Sequence, residues 1–463
     1  MGKGAGKGGD AQAEKQQYSD TAPETNWRGQ VVMAQGETLK KRLAKPLWTL
    51  YGQQIDLEAF AKVHPGGELH LRLGQGLDDC TKLYESYHIR NDKHHAVLRK
   101  WGVEPPPESV SVFHEDLKKM VAEYEKDVGT IKATWGHIAL VSSFLVASLV
   151  FGYGWLMGSI PAMICFPLAN WLLCVNSSHD ASHSAFSHKP WVNNLVAWTA
   201  APLFYLPTTW YGQHVISHHT NTNDEEYDMD LHHFHGTKVH PGGVTQATPV
   251  WKLSLQLHWM GATIAMSYIY PLQHFFAALA MLDIGAVGDD RRTPHFKHMK
   301  HWSFVEILEP LLLLAPWVYA YNYLDRPILF CTVPYVMSGM IFMCATQISH
   351  IQEATQLKET LDEPDWIKRQ ALTSLDYSVN SDLWRVLSGG LNTQALHHSL
   401  PPICSCHFTR MYPRFLEVCK KHKVEVAQED TLRDALRGHW DYLAKLNNEE
   451  LMSTLQHMHD HHD

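Results

Sequence analysis

The 463-residue sequence predicts a mainly α-helical protein: a polytopic membrane unit of four helices with a cytosolic helical cap, preceded by a small α+β domain. Three observations predict it. Long runs almost free of charge come as two pairs, histidine clusters stand beside the ends of those runs, and a compact glycine-punctuated segment near the N-terminus lacks any such run. A helix needs ~20 mainly apolar residues to cross a bilayer core.

Residues 1–45 open with MGKGAGKGGDAQAEKQQ, glycine-rich and charged without an apolar h-region, and read as a flexible tail, not a signal or transit segment. Gly2 misses the myristoylation motif, because Gly6 stands where Ser or Thr is required. Residues 46–105 form the small domain, with an apolar opening (Trp48, Leu50, Tyr51), a helix start at Asp56, an HPGG turn at His64, and DDCTKLYESYH ending at His88. The polar stretch 106–135, marked by Pro105, Pro106 and Pro107, reads as a linker.

Residues 136–425 hold the membrane unit. Its runs are Ile138–Met157, then Ile160–Val175 after a short glycine-serine turn, then Leu308–Leu324 and Ile328–Ile348, turned by Asp325, Arg326 and Pro327. Residues 426–463 read as a cytosolic tail, and its HMHDHHD end as a solvated histidine-rich tract. Two hairpins return the chain to its starting side. Lys132, Lys189, Arg291, Arg292, Lys297, Lys300, Lys358 and Lys368 flank one face, which the positive-inside rule makes cytosolic along with both termini. The apolar segment 262–282 contains Pro271, Gln273 and His274; if it spanned, the last histidine cluster would face the opposite side from the first two. It is therefore expected to lie in the interface or against the other helices. Buried helices of a soluble protein are the competing reading, favoured by a mean hydropathy of −0.24. The polar ends of the chain dilute that average, and paired runs without charge fit lipid better.

A net charge of −9 leaves no basic face for phosphate backbones, which excludes nucleic acid as a partner. The eight cysteines are scattered, as thiols in a reducing compartment are.

His179 and His183 in HDASH are four residues apart and share a helix face. QHVISHHTNTND supplies His214 and His218, expected on one face, with His219 splayed toward a second metal. GGLNTQALHH supplies Gln394, His397 and His398, and QISHIQEA supplies His350 at the end of the fourth run. Imidazole suits iron, copper, zinc and nickel, so ligand type leaves the metal open. Position says more, because this topology puts every cluster on one membrane face. Eight imidazoles suffice for two metal ions with a place left for O2, as oxidation of an unactivated C–H bond requires. Asp180 is a candidate to orient an imidazole or to cap a helix, and Asn221, Asn223, Asp224, Asp228, Asp230 and Glu353 are candidates to orient. Cys404, Cys406 and His407 lack the second pair a tetrahedral zinc site needs, and the HPGG at 240–243 reads as a loop.

The three boxes, their order and their spacing against two hairpins resemble the membrane fatty acyl desaturase superfamily over about Ile138 to His407. The resemblance implies an O2-dependent oxidoreductase of the endoplasmic reticulum membrane, with two iron ions held by His179, His183, His214, His218, His219, His350, Gln394, His397 and His398. Gln394, where histidine is commoner, resembles the front-end desaturases, which insert a cis double bond between an existing one and the carboxyl end of a long-chain polyunsaturated fatty acyl substrate. It would bind iron weakly or hydrogen-bond an iron-bound water. The third box reads QALHH where QIEHH is usual, yet the ligand-type residues keep their spacing.

Residues Trp48 to Val103 resemble cytochrome b5, with HPGG at His64 and Asp79, Thr81 and Tyr84 leading to His88. That resemblance implies haem b clamped by His64 and His88, an electron donor fused to the oxidase and reduced by NADH-cytochrome b5 reductase. The look of the second box leans to bond position four or five, with six and eight also open, and the acyl carrier is either coenzyme A or a membrane lipid. Two readings compete: a desaturase or hydroxylase of sphingolipid long-chain bases, and a non-enzymatic membrane haem electron carrier. The carrier would have no use for the histidine set.

Overall fold

The computed structural model describes residues 47–90, 93–106, 111–225, 227–231, 238–242 and 304–460. The predicted tail 1–45, the apolar segment 262–282 and the basic residues Arg291, Arg292, Lys297 and Lys300 lie outside them.

The apolar opening of the small domain forms an antiparallel hairpin, Trp48–Leu50 with Gln53–Ile55. Its two-residue turn, Tyr51 and Gly52, takes positive φ at both positions (49° and 72°), the geometry that matches the twist of the strands. Trp48, Leu50 and Ile55 meet Leu57, Cys80, Leu98 and Val103 in a small core. Four short helices enclose it: Glu58–Ala61, Glu68–Arg72, Thr81–Tyr87 and Lys93–Leu98.

Trp135–Leu156 starts where Thr134 caps the His137 N–H, and Ile160–Leu173 starts at the Ser159 cap with a proline in its first turn. The second helix continues through a π-helical segment, Cys174–Ser178, into the turn His179–Ser182. Trp135–Leu156, Ile160–Ser182 and Pro327–Gln347 are each long and apolar enough to cross a membrane. A further long helix, Phe304–Tyr323, packs against Pro327–Gln347. Trp155, Phe166, Ala320, Phe330, Tyr335 and Phe342 form a shared core between them. Val146, Leu149 and Val150 point outward and are 60%, 64% and 60% exposed. A row of bare aliphatic side chains on one helix is a surface made for lipid.

Two expectations are corrected. Residues 106–135 include a 17-residue helix, Val112–Val128, where a linker was expected. Phe113, Leu117, Val121 and Tyr124 make a stripe at helical spacing and are buried with Phe408, Tyr412 and Phe415 of the helix Phe408–Lys421. The polar residues that suggest a linker, such as Lys119, Glu123 and Lys126, occupy its exposed face. Of the expected tail 426–463, residues 427–446 likewise belong to the fold. Ala427–Glu429 pairs in parallel with Leu375–Tyr377, and Tyr442, Leu443 and Leu446 of the helix Leu432–Asp460 are buried against Leu231, Val239 and Ile351.

Candidate metal centre

The histidine-bearing segments around His179 and His350 are continuations of long apolar helices. His179 and His183 follow the π-helical segment on Ile160–Leu173, and His350 lies three residues past Gln347, the last residue of its helix. His214 and His218 lie within a second π-helical segment, Tyr211–His218, and Gln394, His397 and His398 lie on the short helix Gln394–Ser399. Wide i→i+5 turns of this kind are rare and concentrate at functional sites. The third box is held in place by its own glycines: at Gly389 (φ 63°) a Cβ would stand 2.3 Å from the Val175 carbonyl oxygen. The backbone of the first π segment and the approach to the third box therefore touch directly.

The rings converge. His179, His183, His214 and His397 point their nitrogens at one point; His218, His350 and His398 at another; His219 joins His397 and His398 between them. All are buried. The expectation that His214 and His218 share a face fails, because the π winding brings residues five apart together: His214 Nε2 lies 3.2 Å from His219 Nε2, while His218 faces His350 and His398. For His179 and His183, on an ordinary turn, the four-residue rule holds.

The spacing suits cations. His179 Nε2 lies 3.2 Å from His214 Nε2, and His219 Nε2 lies 3.1 Å from His397 Nε2. Imidazoles bound to one ion at ~2.0–2.1 Å place their nitrogens about 3 Å apart. His183 Nε2 and Gln394 Oε1 are buried without a hydrogen-bond partner, a loss of about 1–3 kcal/mol each unless something positive lies between them. The Gln394 amide nitrogen is 2.9 Å from His350 Nε2 and 3.3 Å from His398 Nε2. Oxygen and nitrogen of such an amide exchange places by a simple flip, which would aim Oε1 at the same point.

The electrostatics keep most rings in the ligating, neutral form. Burial, reinforced by neighbouring imidazoles, holds His183, His214, His219, His397 and His398 well below the ordinary histidine range, and His350 at about 3. His218 is the exception: burial opposes its charge, but the carboxylates of Asp228 and Asp230 overcome that and raise it to about 9. Its Nδ1–H donates to Asp228 at 3.1 Å, which leaves Nε2 for a metal.

The candidate orienting residues sort out by contact. Asp228 holds His218, and Asp230 stands 3.6 Å from the same nitrogen while accepting from Gln213 at 2.6 Å. Asn223 donates to the His350 carbonyl at 2.9 Å and so fixes backbone, as does Asn221 toward Ser217. Asp224 caps the Tyr227 N–H, and Glu353 pairs with Lys445 on the surface. Asp180 neither orients a box histidine nor caps a helix start; it accepts from Ser405 and Cys404 and ties the first box to the segment after the third. Three partners escaped the sequence: Gln370 and Thr222 at His398 Nδ1 (3.0 and 3.1 Å), and the Thr373 carbonyl at His350 Nδ1 (3.0 Å). Gln370 and Thr373 belong to no motif, and Thr222, though inside QHVISHHTNTND, carries no local signal that it would meet His398.

A small cavity adjoins the cluster. Trp171, Val175, Tyr205, Trp210, Phe342 and Leu391 line it together with His179, His214, His218, His350 and Gln394. A sequence model described as fatty acid desaturase matches residues 129–429, well over half of the chain. The chain belongs to the fatty acid desaturase family. As a desaturase it is an oxidoreductase of acyl lipids, and the buried histidine set is of the kind this di-iron-dependent family requires.

The desaturase is 28% identical to the acyl-lipid omega-13 desaturase of Chlamydomonas reinhardtii, over 86% of the chain and 92% of the relative. It is 26% identical to the acyl-lipid (8-3)-desaturase B of Dictyostelium discoideum, over 89% and 94%. It is 27% identical to the Delta(5) fatty acid desaturase A of Dictyostelium discoideum, over 86% and 90%. In the small domain of this desaturase, His64 and His88 face one another with ring centroids 6.3 Å apart. Each Nδ1 lies beside a backbone carbonyl, Gly67 O at 3.0 Å and Tyr84 O at 2.7 Å, so each ring has its Nε2 left to coordinate.

Proposed function

We propose that this protein is a front-end acyl-lipid desaturase, which forms a cis double bond at position four or five, between an existing double bond and the carboxyl end of a polyunsaturated chain. The observation that carries the proposal is the convergence of eight buried imidazoles beside apolar side chains such as Trp171 and Phe342. The names of the relatives, omega-13, (8-3) and Delta(5), support this class of regiochemistry.

His179, His183, His214, His218, His219, His350, His397 and His398 would hold two iron ions, with Gln394 as a ninth ligand or as partner of a bound water. Bound iron would supply O2 activation and the power to take hydrogen from an unactivated C–H bond. The chain's own residues supply the rest. Trp171, Phe342 and Leu391 offer the acyl chain an apolar surface and exclude water from the reacting carbons. Asp228 keeps the His218 proton on Nδ1, and Gln370 and the Thr373 carbonyl fix the His398 and His350 rings.

His64 and His88 fit a haem b between them. Their ring centroids are 6.3 Å apart and each has its Nδ1 turned to a backbone carbonyl, so the two Nε2 atoms would be the ones to hold the iron, which would supply one-electron transfer. NADH-cytochrome b5 reductase would reduce that haem from the cytosol. Four helices, the three apolar ones and Phe304–Tyr323, would span the endoplasmic reticulum membrane with both termini cytosolic, so that the histidine segments around His179 and His350 leave the bilayer on one side.

The test is expression in a host without polyunsaturated lipids, fed one candidate acid at a time, with product double bonds mapped. A new bond at position four or five supports the proposal. Altered ceramide bases with unchanged fatty acids would transfer it to the sphingolipid class, and purified protein with haem but no further iron would leave only an electron carrier.

A further inference from the structure

We infer that the N-terminal domain is docked on the histidine centre and that Tyr87 couples the two redox sites. The inference rests on the reading that His64 and His88 hold haem and that the box histidines hold iron.

Tyr87 is the last residue of Thr81–Tyr87 and the covalent neighbour of His88. Its hydroxyl lies 2.8 Å from Nδ1 of His183, and the two rings are within 15° of parallel. With Nε2 of His183 turned to the metal cluster, Nδ1–H donates to the Tyr87 oxygen. His398 and His350 take their Nδ1 partners from the membrane domain itself, Gln370 and Thr373, and His218 takes Asp228. His183 takes its partner from the small domain.

The surrounding contact is built like a core. Leu83, Leu69 and Leu73 pack on Tyr211, Val215 and Ile216, which alternate with His214 and His218 on the same π-helical segment. Val215 is 1% exposed and Tyr211 4%, burial that a transient, water-washed encounter surface does not have. Where the HPGG turn meets the other domain, a Cβ at Gly67 would stand 2.7 Å from the Pro190 side chain, so the glycine allows the approach.

With haem and iron bound, each transfer would move one electron from ferrous haem, leaving it ferric, to one ferric non-haem iron, leaving that ferrous. Two such transfers, with O2, two protons and the two hydrogens taken from the acyl chain, balance to one double bond and two waters. Tyr87 is neither oxidised nor deprotonated; it is a positioning residue that fixes the separation and keeps His183 in the ligating tautomer.

The experiment uses the full-length holoprotein under argon without substrate. A photoexcited flavin reduces the haem in a flash, and the ferrous band is followed as its electron moves to non-haem iron. Wild type is expected to show a first-order decay independent of protein concentration. Tyr87→Phe, compared with wild type at equal non-haem iron loading, should slow it roughly fivefold to tenfold, the effect that loss of one buried hydrogen bond has on an equilibrium, with the haem spectrum unchanged. Tyr87→Gln, which can still accept from Nδ1–H, should recover part of the rate. Leu83→Glu, which breaks the contact without touching either site, should make the decay concentration-dependent and raise hydrogen exchange in residues 81–88 and 211–219. An unchanged rate in Tyr87→Phe overturns the coupling role, and a concentration-dependent decay in wild type overturns the docking. Wild-type protein without haem or without second iron would instead sink the reading beneath it.

Discussion

Asp228 offers the sharpest test of the metal centre, because its carboxylate serves three donors and has no slack. Oδ1 accepts from the Asp230 N–H at 2.9 Å, Oδ2 from the Asn223 N–H at 2.8 Å, and both lie 3.1 Å from His218 Nδ1. Asp228→Asn keeps the volume but turns one oxygen into an NH2 group. Whichever way the amide lies, an N–H then faces a backbone N–H inside 3 Å. A backbone donor left without an acceptor costs about 1–3 kcal/mol, and loss of a carboxylate behind a metal-bound imidazole lowers metal affinity or activity by roughly 10–100-fold. The expected outcome is a protein that gives up non-haem iron to a chelator at a concentration about tenfold or more below that needed for wild type, with turnover falling in parallel. The haem absorption should not change, because His64 and His88 take their Nδ1 partners from the Gly67 and Tyr84 carbonyls and not from Asp228. The assay is non-haem iron per chain after equilibration with graded chelator. If Asp228→Asn keeps its iron as wild type does, the orienting role is wrong, and with it the argument that His218 binds through Nε2.

Three further outcomes follow from the same geometry. His397→Ala should abolish desaturation and leave the haem spectrum intact, whereas His64→Ala should remove the spectrum and turnover together; product analysis and absorption separate the two. Gly389→Ala should destabilise the fold by about 3 kcal/mol, because the new Cβ meets backbone at Val175 and not a movable side chain; a thermal melt in detergent would show it. Burial works to raise the Glu85 carboxyl, but the Tyr51 hydroxyl, Lys118 and His95 outweigh it and hold it at about 2. A carboxyl depressed in the folded state contributes stability that is present above its unfolded value of about 4.3 and is lost as pH falls toward 2. Tryptophan fluorescence should therefore report loosening of the small domain across that window, and Glu85→Gln should flatten the dependence.

Much of this protein is written locally. Runs such as Ile160–Val175 are apolar over a length that hydropathy alone can detect, and His179 with His183 needs only one ordinary helical turn to point together. The short glycine-punctuated helices between Glu58 and Leu98 are legible for the same reason: helix starts and turn glycines are properties of short stretches. Regular period and composition act over a few residues, so they survive without knowledge of neighbours.

What the amino-acid order could not decide is where two distant surfaces meet. The π winding at Tyr211–His218 regroups His214 with His219, and it is accompanied by contacts with residues far along the chain. Val112–Val128 is polar enough to pass for a linker until Phe408, Tyr412 and Phe415 cover its one apolar stripe. Gln370 lies outside every motif, Thr222 and Tyr87 lie inside motifs that say nothing of their partners, and each acquires a role only by lying within hydrogen-bond reach of a histidine ring. Periodicity is a short-range property that each segment carries with it, whereas a hydrogen bond depends on tenths of an ångström between atoms the chain brings together only when it folds.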